Sequence, residues 1–193
     1  MARRARVDRA AVVDAAVRLV NTEGAGALSL SRVAGELGVR TPSLYNHVDG
    51  LPGLQRELAL RNAQMLADAF ADAAIGRAGA DAVVALAQAF RAHIKANPGL
   101  YLASQGVTEL SVGDDAALRA AMDRSVRIVA AVMASFGLEG DDALHAVRAL
   151  RATVHGFATL EIAGGFGLPL DCDESFRRLV QVLILGMQQV EVV

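Results

Sequence analysis

The chain has 193 residues, of which 53% are hydrophobic and only 4% aromatic, and its formal net charge at pH 7 is −2. This composition supports a sizeable core and favours helices over strands. No apolar run is long enough to span a membrane, and the N-terminal residues lack the apolar core of a signal peptide. The single cysteine, Cys172, excludes an intrachain disulfide, and we interpret it as an ordinary loop residue in a reducing cytoplasm.

The positive charge is concentrated near the N-terminus. Residues 1–50 carry seven arginines against five carboxylates, a net charge of +2, so the remainder carries −4. Four of these arginines, Arg3, Arg4, Arg6 and Arg9, fall within the first nine residues. Such a basic arm can reach phosphates or a minor groove of DNA. The alternative is a solvated terminus without a function.

The first predicted elements have the pattern of a helix-turn-helix. An apolar helix over Asp8–Asn21, capped by Asp8, precedes a short helix over Ser29–Leu37, for which Ser29 is a good N-cap. Gly38-Val39 then provides a sharp turn, since glycine tolerates positive φ, followed by an apolar plug between two helices. A short turn that contains glycine is typical of this motif.

The second helix of the motif is predicted over Thr41–His47. Thr41 is expected to cap it, and Pro42 occupies its first position, where a missing N–H costs nothing. Leu44 is expected to face inward, and the helix is otherwise too short and too polar to be explained by packing. The residues predicted to contact DNA are Arg32, Arg40, Thr41, Pro42, Ser43, Tyr45, Asn46 and His47.

The rest of the chain reads as an all-helical bundle, with Gly50-Leu51-Pro52-Gly53 as a joint before it. Helices are predicted over Leu54–Ile75, over Asp81–Lys95 with Asp81 as the N-cap, over Leu100–Gln105, from Asp114 or Asp115 to Phe136, from the N-cap Asp141 to about Ala163, and from Asp173 to about Gln189. The sequence therefore predicts an all-α protein. Residues 1–50 form a three-helix DNA-binding domain, and residues 51–193 form a helical bundle for ligand binding and dimerisation.

The last two long helices carry apolar or small residues on more than one side. In the final helix Phe176, Leu179, Val180, Leu183 and Met187 share one face, while Val182 and Leu185 lie on another and Gly186 sits in mid-helix. A helix that is apolar on most sides must be buried on most sides. The second face indicates a homodimer interface, and burial within a monomer is the alternative.

The stretch Ser29–His47, and above all Leu44-Tyr45-Asn46-His47-Val48, resembles the DNA-binding domain of TetR/AcrR-type transcriptional repressors. The resemblance implies a helical ligand-binding domain after it, with a four-helix dimer interface formed by the last two helices of each protomer. One position departs from the family pattern, because Asp49-Gly50-Leu51 stands where a phosphate-binding lysine is usual.

The run around His155 resembles the C-terminal domain of a TetR branch named for a Trp-His-Gly triplet. Here His155-Gly156 is present and Val154 replaces the Trp. A His beside Gly on a buried helix suggests a polar group that faces a cavity, and a hydrogen-bonded core histidine is the alternative.

A small apolar or moderately polar ligand is expected inside the bundle. The residues predicted to bind it are Phe90, His93, Tyr101, Met122, Val126 and His155, and Met65 and Met133 are further lining candidates. The alternative for each of them is a place in the packed core.

No motif for catalysis, metal binding or dinucleotide binding occurs in the sequence, and Glu109 and Glu161 read as isolated carboxylates. We therefore expect no enzyme activity, no metal and no cofactor. The hypothesis is a homodimeric repressor that binds a palindromic operator in double-stranded DNA and releases it with a small molecule, without membrane association. The alternative is a helix-turn-helix protein controlled by protein partners.

Overall fold

The computed structural model describes residues 7–105 and 115–189. Within these two ranges all regular secondary structure is helical, which confirms the predicted all-α fold. The α-helices are α1 Arg9–Glu23, α2 Leu30–Glu36, α3 Gly50–Ala74, α4 Gly79–Ala96, α5 Pro98–Ser104, α6 Ala116–Ala134, α7 Gly140–Ile162 and α8 Cys172–Gln188. Two short 3-10 helices cover Ala25–Ala27 and Thr41–Asn46. None of the described helices has the length and apolar character needed to cross a membrane.

The chain divides into two compact units. The first unit comprises the described residues of Met1–Ala63 together with those of Asn97–Arg119. The second comprises Gln64–Ala96 and the described residues of Ala120–Val193. The first unit is thus assembled from two separate stretches of sequence.

Helix α1 is the centre of the first unit. Its N-cap is Asp8, as predicted, and the Asp8 Oδ1 accepts a hydrogen bond from the Ala11 N–H at 2.9 Å. Gly24 ends the helix with a φ of 87°, which only glycine adopts readily. Helix α1 contacts α2 and α5. Its buried residues are Val12, Val13, Ala15, Ala16, Leu19 and Val20.

Helix α5 approaches the C-terminal end of α1 closely enough for backbones to touch. A Cβ added to Gly99 would lie 1.7 Å from the Val20 carbonyl oxygen, so only glycine fits there. The Asn21 side chain accepts a hydrogen bond from the Leu100 N–H at 2.9 Å and donates one to the Asn97 Oδ1 at 3.4 Å. The segment predicted only to stop the preceding helix therefore also fastens α5 to α1.

In the second unit α4 packs against both α7 and α8, which also pack against each other. Phe70 and Phe90 meet edge to face, with ring centroids 5.6 Å apart. Phe157 contacts the rings of Phe166 and Phe176 at 4.7 and 5.1 Å. The fully buried Met133 belongs to this core, although it was considered as a ligand contact.

Helix α3 begins earlier than predicted, at Gly50 rather than at Leu54, and ends at Ala74. The glycine- and proline-containing stretch predicted as a joint is therefore the first turn of the helix. Gly50 takes a φ of 69°, and Pro52 follows within the first turn, where the helix needs no N–H donor from it.

Several predicted N-caps lie inside their helices. Asp81 and Asp141 stand in the first turns of α4 and α7, where their charges complement the helix dipole instead of capping the backbone. Asp171 caps α8 by accepting hydrogen bonds from the Asp173 and Glu174 N–H groups. Cys172 is consequently the first residue of α8, and its interpretation as a loop residue was wrong.

Helix α6 starts after Asp115, one of the two predicted starting residues, whose Oδ1 accepts a hydrogen bond from the Leu118 N–H at 3.1 Å. The other predicted start, Asp114, lies outside the described residues, as does Glu109.

Candidate DNA-binding and effector sites

The helix-turn-helix is built by short local hydrogen bonds around a small buried core. Ser29 caps α2 as predicted, with its Oγ accepting a hydrogen bond from the Arg32 N–H at 3.4 Å. The turn closes when the Val39 N–H bonds the Ala34 carbonyl at 3.0 Å, and Gly38 takes the predicted positive φ of 63°. The core of the motif consists of Val33, Ala34, Leu44 and Val48, all buried.

The element after the turn differs in type from the prediction. It is a 3-10 helix over Thr41–Asn46, not an α-helix, and its N-cap is Arg40 without a side-chain hydrogen bond, so Thr41 does not cap it. Pro42 stands at its start as predicted. Short polar segments favour 3-10 geometry because few i→i−4 bonds are available to them.

This short helix is held by Leu44, which is fully buried, while its next residue, Tyr45, is 60% exposed. Pro42, Ser43 and Asn46 are exposed, and Thr41 and His47 are half-buried, so the outer surface of this element consists of residues predicted to contact DNA. The Tyr45 ring also lies beside Gly50, within 3.9 Å of the position that a Cβ would take.

Two arginines of the first unit are engaged in exposed ion pairs. Arg32 pairs with Glu23, and Arg18 lies 3.9 Å from Glu36. Such pairs contribute little to stability in water, and a DNA phosphate can replace the carboxylate. Arg40 is exposed beside the turn.

Arg9, one of the four arginines assigned to the predicted basic arm, is part of α1. Arg9 is the first residue of α1, and its Nε donates to the Glu57 Oε2 at 3.0 Å. This hydrogen bond raises the pKa of Arg9. Arg9 therefore belongs to the folded unit, while Arg3, Arg4 and Arg6 lie outside the described residues.

The predicted ligand residues have different environments. Phe90 and His93 are buried on α4, and burial lowers the pKa of His93, so its imidazole is neutral at neutral pH with one donor and one acceptor. Tyr101 is buried on α5, in the first unit. The remaining three residues belong to the second unit: Met122 and His155 are half-buried, whereas Val126 is 40% exposed.

Sequence reasoning missed an ion-pair cluster on α4, α7 and α8. Arg91, only 9% exposed, donates two hydrogen bonds to Glu161 at 2.6 and 2.7 Å and lies 2.7 Å from Asp173. Its guanidinium carbon also lies 4.8 Å from the centre of the Phe176 ring. Glu161 is therefore not the isolated carboxylate that the sequence suggested. The sequence did contain one sign of this cluster, because Arg91 follows Phe90 on an otherwise apolar helix.

A groove lies along α4 beside this cluster. It has a volume of about 460 Å³ and is lined by Gln88, Arg91, Ala92, Lys95, Ala96 and Phe176. Its lining includes none of the six residues predicted to bind a ligand. Across the described residues no group of three or more His, Cys, Asp or Glu side chains could hold a metal ion.

A helix-turn-helix with a solvent-facing second helix, followed by a larger helical body, is the arrangement expected of a DNA-binding regulator. Residues 83–183 match a family model described as the tetracyclin repressor-like, C-terminal domain. The chain belongs to the TetR family of transcriptional regulators, which are not enzymes. The predicted family is thereby confirmed.

Two relatives and one solved structure illustrate the likeness. The uncharacterized HTH-type transcriptional regulator Rv0681 of Mycobacterium tuberculosis is 34% identical over 98% of this chain and 85% of its own. The uncharacterized HTH-type transcriptional regulator YobS of Bacillus subtilis is 33% identical over 91% of this chain and 90% of its own. A TetR variant from Acinetobacter baumannii, crystallised with minocycline, is 21% identical and has the same fold, with a TM-score of 0.73 over 97% of this chain and all of that one.

Proposed function

We propose that this protein is a homodimeric repressor that binds a palindromic operator and releases it when a small molecule binds the second unit. The observation that carries the proposal is the contrast between fully buried Leu44 and 60% exposed Tyr45 in one short helix. A helix anchored by one apolar side chain presents its polar side chains to a partner. Asn can pair bidentately with adenine, and Tyr commonly reaches a phosphate.

Dimerisation is supported by the outer surface of the last two helices. On α8 Val182 and Leu185 are 66% and 60% exposed, and on α7 Leu144 and Leu160 are 44% and 52% exposed. A Cβ at Gly186 would meet nothing within 4 Å, so this position has room for a partner. The inward face of α8 agrees with the sequence at Phe176, Val180 and Met187, whereas Leu179 and Leu183 are half-buried and Ile184 is buried in addition. Two-fold dimers account for paired half-sites in an operator.

Ligand response is supported by the fold shared with a TetR protein crystallised with minocycline. Release requires two shapes of the dimer: the operator binds one of them more tightly, and the ligand binds the other more tightly. His155 is the residue that we expect above all to contact the ligand. It is half-buried beside Gly156, where an added Cβ would meet nothing within 4 Å.

The test begins with DNA fragments selected from a random library by the purified protein, followed by gel-shift titration. We expect one palindromic consensus, bound by two protomers. A screen of small molecules for release then identifies an effector. Operator binding without any palindrome, or by a single protomer, would contradict the dimeric repressor. The variant His155→Ala should bind the operator as the parent does and lose its response to the effector; an unchanged response would remove His155 from the site.

A further inference from the structure

Lys95 is the only lysine in the chain, in which every other residue of the 19 Lys and Arg is an arginine. It lies on α4, its side chain is 46% exposed, and it lines the groove together with Arg91 and Phe176. Lysine differs from arginine in carrying a compact ammonium on a flexible stem, with three donors that can turn to different acceptors. The chain's single side-chain ammonium is therefore placed at this groove.

The charges around the groove are distributed unevenly. The two cations, Arg91 and Lys95, line it, whereas their carboxylate partners, Glu161 and Asp173, are absent from its lining. The Lys95 Nζ donates to the Glu161 Oε1 at 2.7 Å. With three donors, the same ammonium can bond Glu161 and a second carboxylate together. Arg91, Lys95, Glu161 and Asp173 together carry no net charge, and the half-exposed Lys95 ammonium is the accessible cation at the groove.

The remaining lining of the groove is mostly apolar. Ala92 and Ala96 are exposed one helical turn apart on α4, and Phe176, which is only 3% exposed, contributes a small part of the wall. The Gln88 amide adds one neutral polar group. A volume of about 460 Å³ falls within the range of small-molecule sites. The site therefore combines one accessible cation with a surface for an aromatic or aliphatic body.

We infer that this groove binds a small monocarboxylate, with the carboxylate on Lys95 and the apolar body against Phe176, Ala92 and Ala96. The inference goes beyond the proposed function, because this groove is a second ligand site that does not include His155, and only its regulatory meaning rests on that function. The site differs from the six residues that the sequence suggested. Glu161 belongs to α7 and Asp173 to α8, so a ligand that competes for Lys95 acts on the ion pairs that join α4 to these helices.

The first experiment is calorimetric titration of the full chain with matched probes. The probes are 2-naphthylacetate and octanoate, each compared with its neutral amide of nearly equal shape. We expect each carboxylate to bind about tenfold more tightly than its amide, because a charge-assisted hydrogen bond replaces a neutral one. The variant Lys95→Met should reduce this preference to parity while the amide still binds. The control Arg127→Met, which removes an exposed cation from α6, should leave the preference intact.

Because Lys95 is the only lysine in the chain, a label on lysine amines reports on it directly, and a second experiment needs no substitution. Reductive ¹³C-methylation keeps the charge of an amine and labels only Lys95 and the α-amino group of this chain. In NMR titrations, the carboxylates should shift the Lys95 signal, and the amides should shift it much less. The α-amino signal serves as the internal reference.

The outcomes separate this inference from the proposed function. Equal affinity for acid and amide, no binding of either acid at millimolar concentration, or an unmoved Lys95 signal would each overturn the carboxylate site. Operator binding by the parent is measured separately, so its failure would overturn the proposed repressor and leave the binding data standing. Acid binding that releases the operator from the parent, but not from Lys95→Met, would support both.

Discussion

Neighbouring residues in the Thr41–Asn46 helix have opposite environments, so their roles in folding and in DNA binding can be tested separately. Tyr45 is exposed and Asn46 lies beside it on the surface. We expect Tyr45→Ala to weaken operator binding by about 1 kcal/mol across sequences, and Asn46→Ala to cost about 1–3 kcal/mol and to relax base preference. Gel-shift titration against the selected operator and its point variants measures both effects.

The contrasting substitution is Leu44→Ala in the same helix. Leu44 is fully buried, so its truncation should lower the free energy of unfolding by about 2–5 kcal/mol. Tyr45→Ala and Asn46→Ala should melt near the parent. If both exposed variants bind the operator as the parent does, this helix is not the recognition element.

At Gly99 the absence of a side chain allows α5 to pack against α1. Because an added Cβ would overlap the Val20 carbonyl, Gly99→Ala must push α5 away from α1. We expect a loss of about 1–3 kcal/mol in the free energy of unfolding, measured by chemical denaturation. The matched control is Gly26→Ala, where a Cβ would meet nothing within 4 Å, and it should change stability by less than about 0.5 kcal/mol. Equal effects of both substitutions would refute the close contact.

At the scale of elements, α4 is tied to α7 and α8 by the ion pairs of Arg91. Hydrogen bonds from Arg91, and then from Lys95, lower the pKa of Glu161 to about 2, although its burial opposes this shift. Since the pKa in the folded state lies below its ordinary value of 4.5, the pair stabilises the fold above that pH. The stability is lost as the pH falls from about 4.5 towards 2, and amounts to roughly 3 kcal/mol at most.

We therefore expect Glu161→Gln to lower the melting temperature at neutral pH and to flatten its dependence on pH in the acidic range. Thermal melts between neutral and acidic pH measure this. The control Asp123→Asn removes an exposed carboxylate of α6 and should retain the slope of the parent. A parent-like slope in Glu161→Gln would show that Glu161 contributes no pH-dependent stability.

The order of the helices could be predicted from periodicity, and Asp8 and Ser29 were identified as caps because their hydrogen bonds are local. Errors arose where two local preferences competed. The stretch from Gly50 to Gly53 has the composition of a break, yet glycine and proline are both allowed in a first helical turn. Glu161 was misread for another reason: its partner Arg91 is 70 residues away, and no local pattern reports such a contact.

At the scale of the whole molecule, the exposed apolar surface of α7 and α8 predicts the assembly. Leu185→Asp would place a charge in the proposed interface without a partner, at a cost of about 3–5 kcal/mol. We expect this variant to sediment as a monomer where the parent sediments as a dimer. Gly186→Asp should have the same effect.

The matched control for the assembly is Ile75→Asp, since Ile75 is 72% exposed and lies just beyond the end of α3. It introduces the same charge at an apolar surface residue outside α7 and α8 and should leave the dimer intact. Dissociation by both substitutions would point to a general loss of solubility. A monomeric parent would exclude the interface altogether.

The assembly of the first unit from two stretches of sequence has a consequence for recombination. A gene crossover just after the helix-turn-helix would join the α1 of one parent to the α5 of another. Val20 and Asn21 would then contact a segment that evolved to pack on a different α1. A side chain at position 99 would clash with the Val20 carbonyl group. Chimeric regulators that exchange DNA specificity should therefore carry Asn97–Ser104 along with the N-terminal helices. The first unit is compact, but its two parts are encoded by separate stretches of the gene and must be exchanged together.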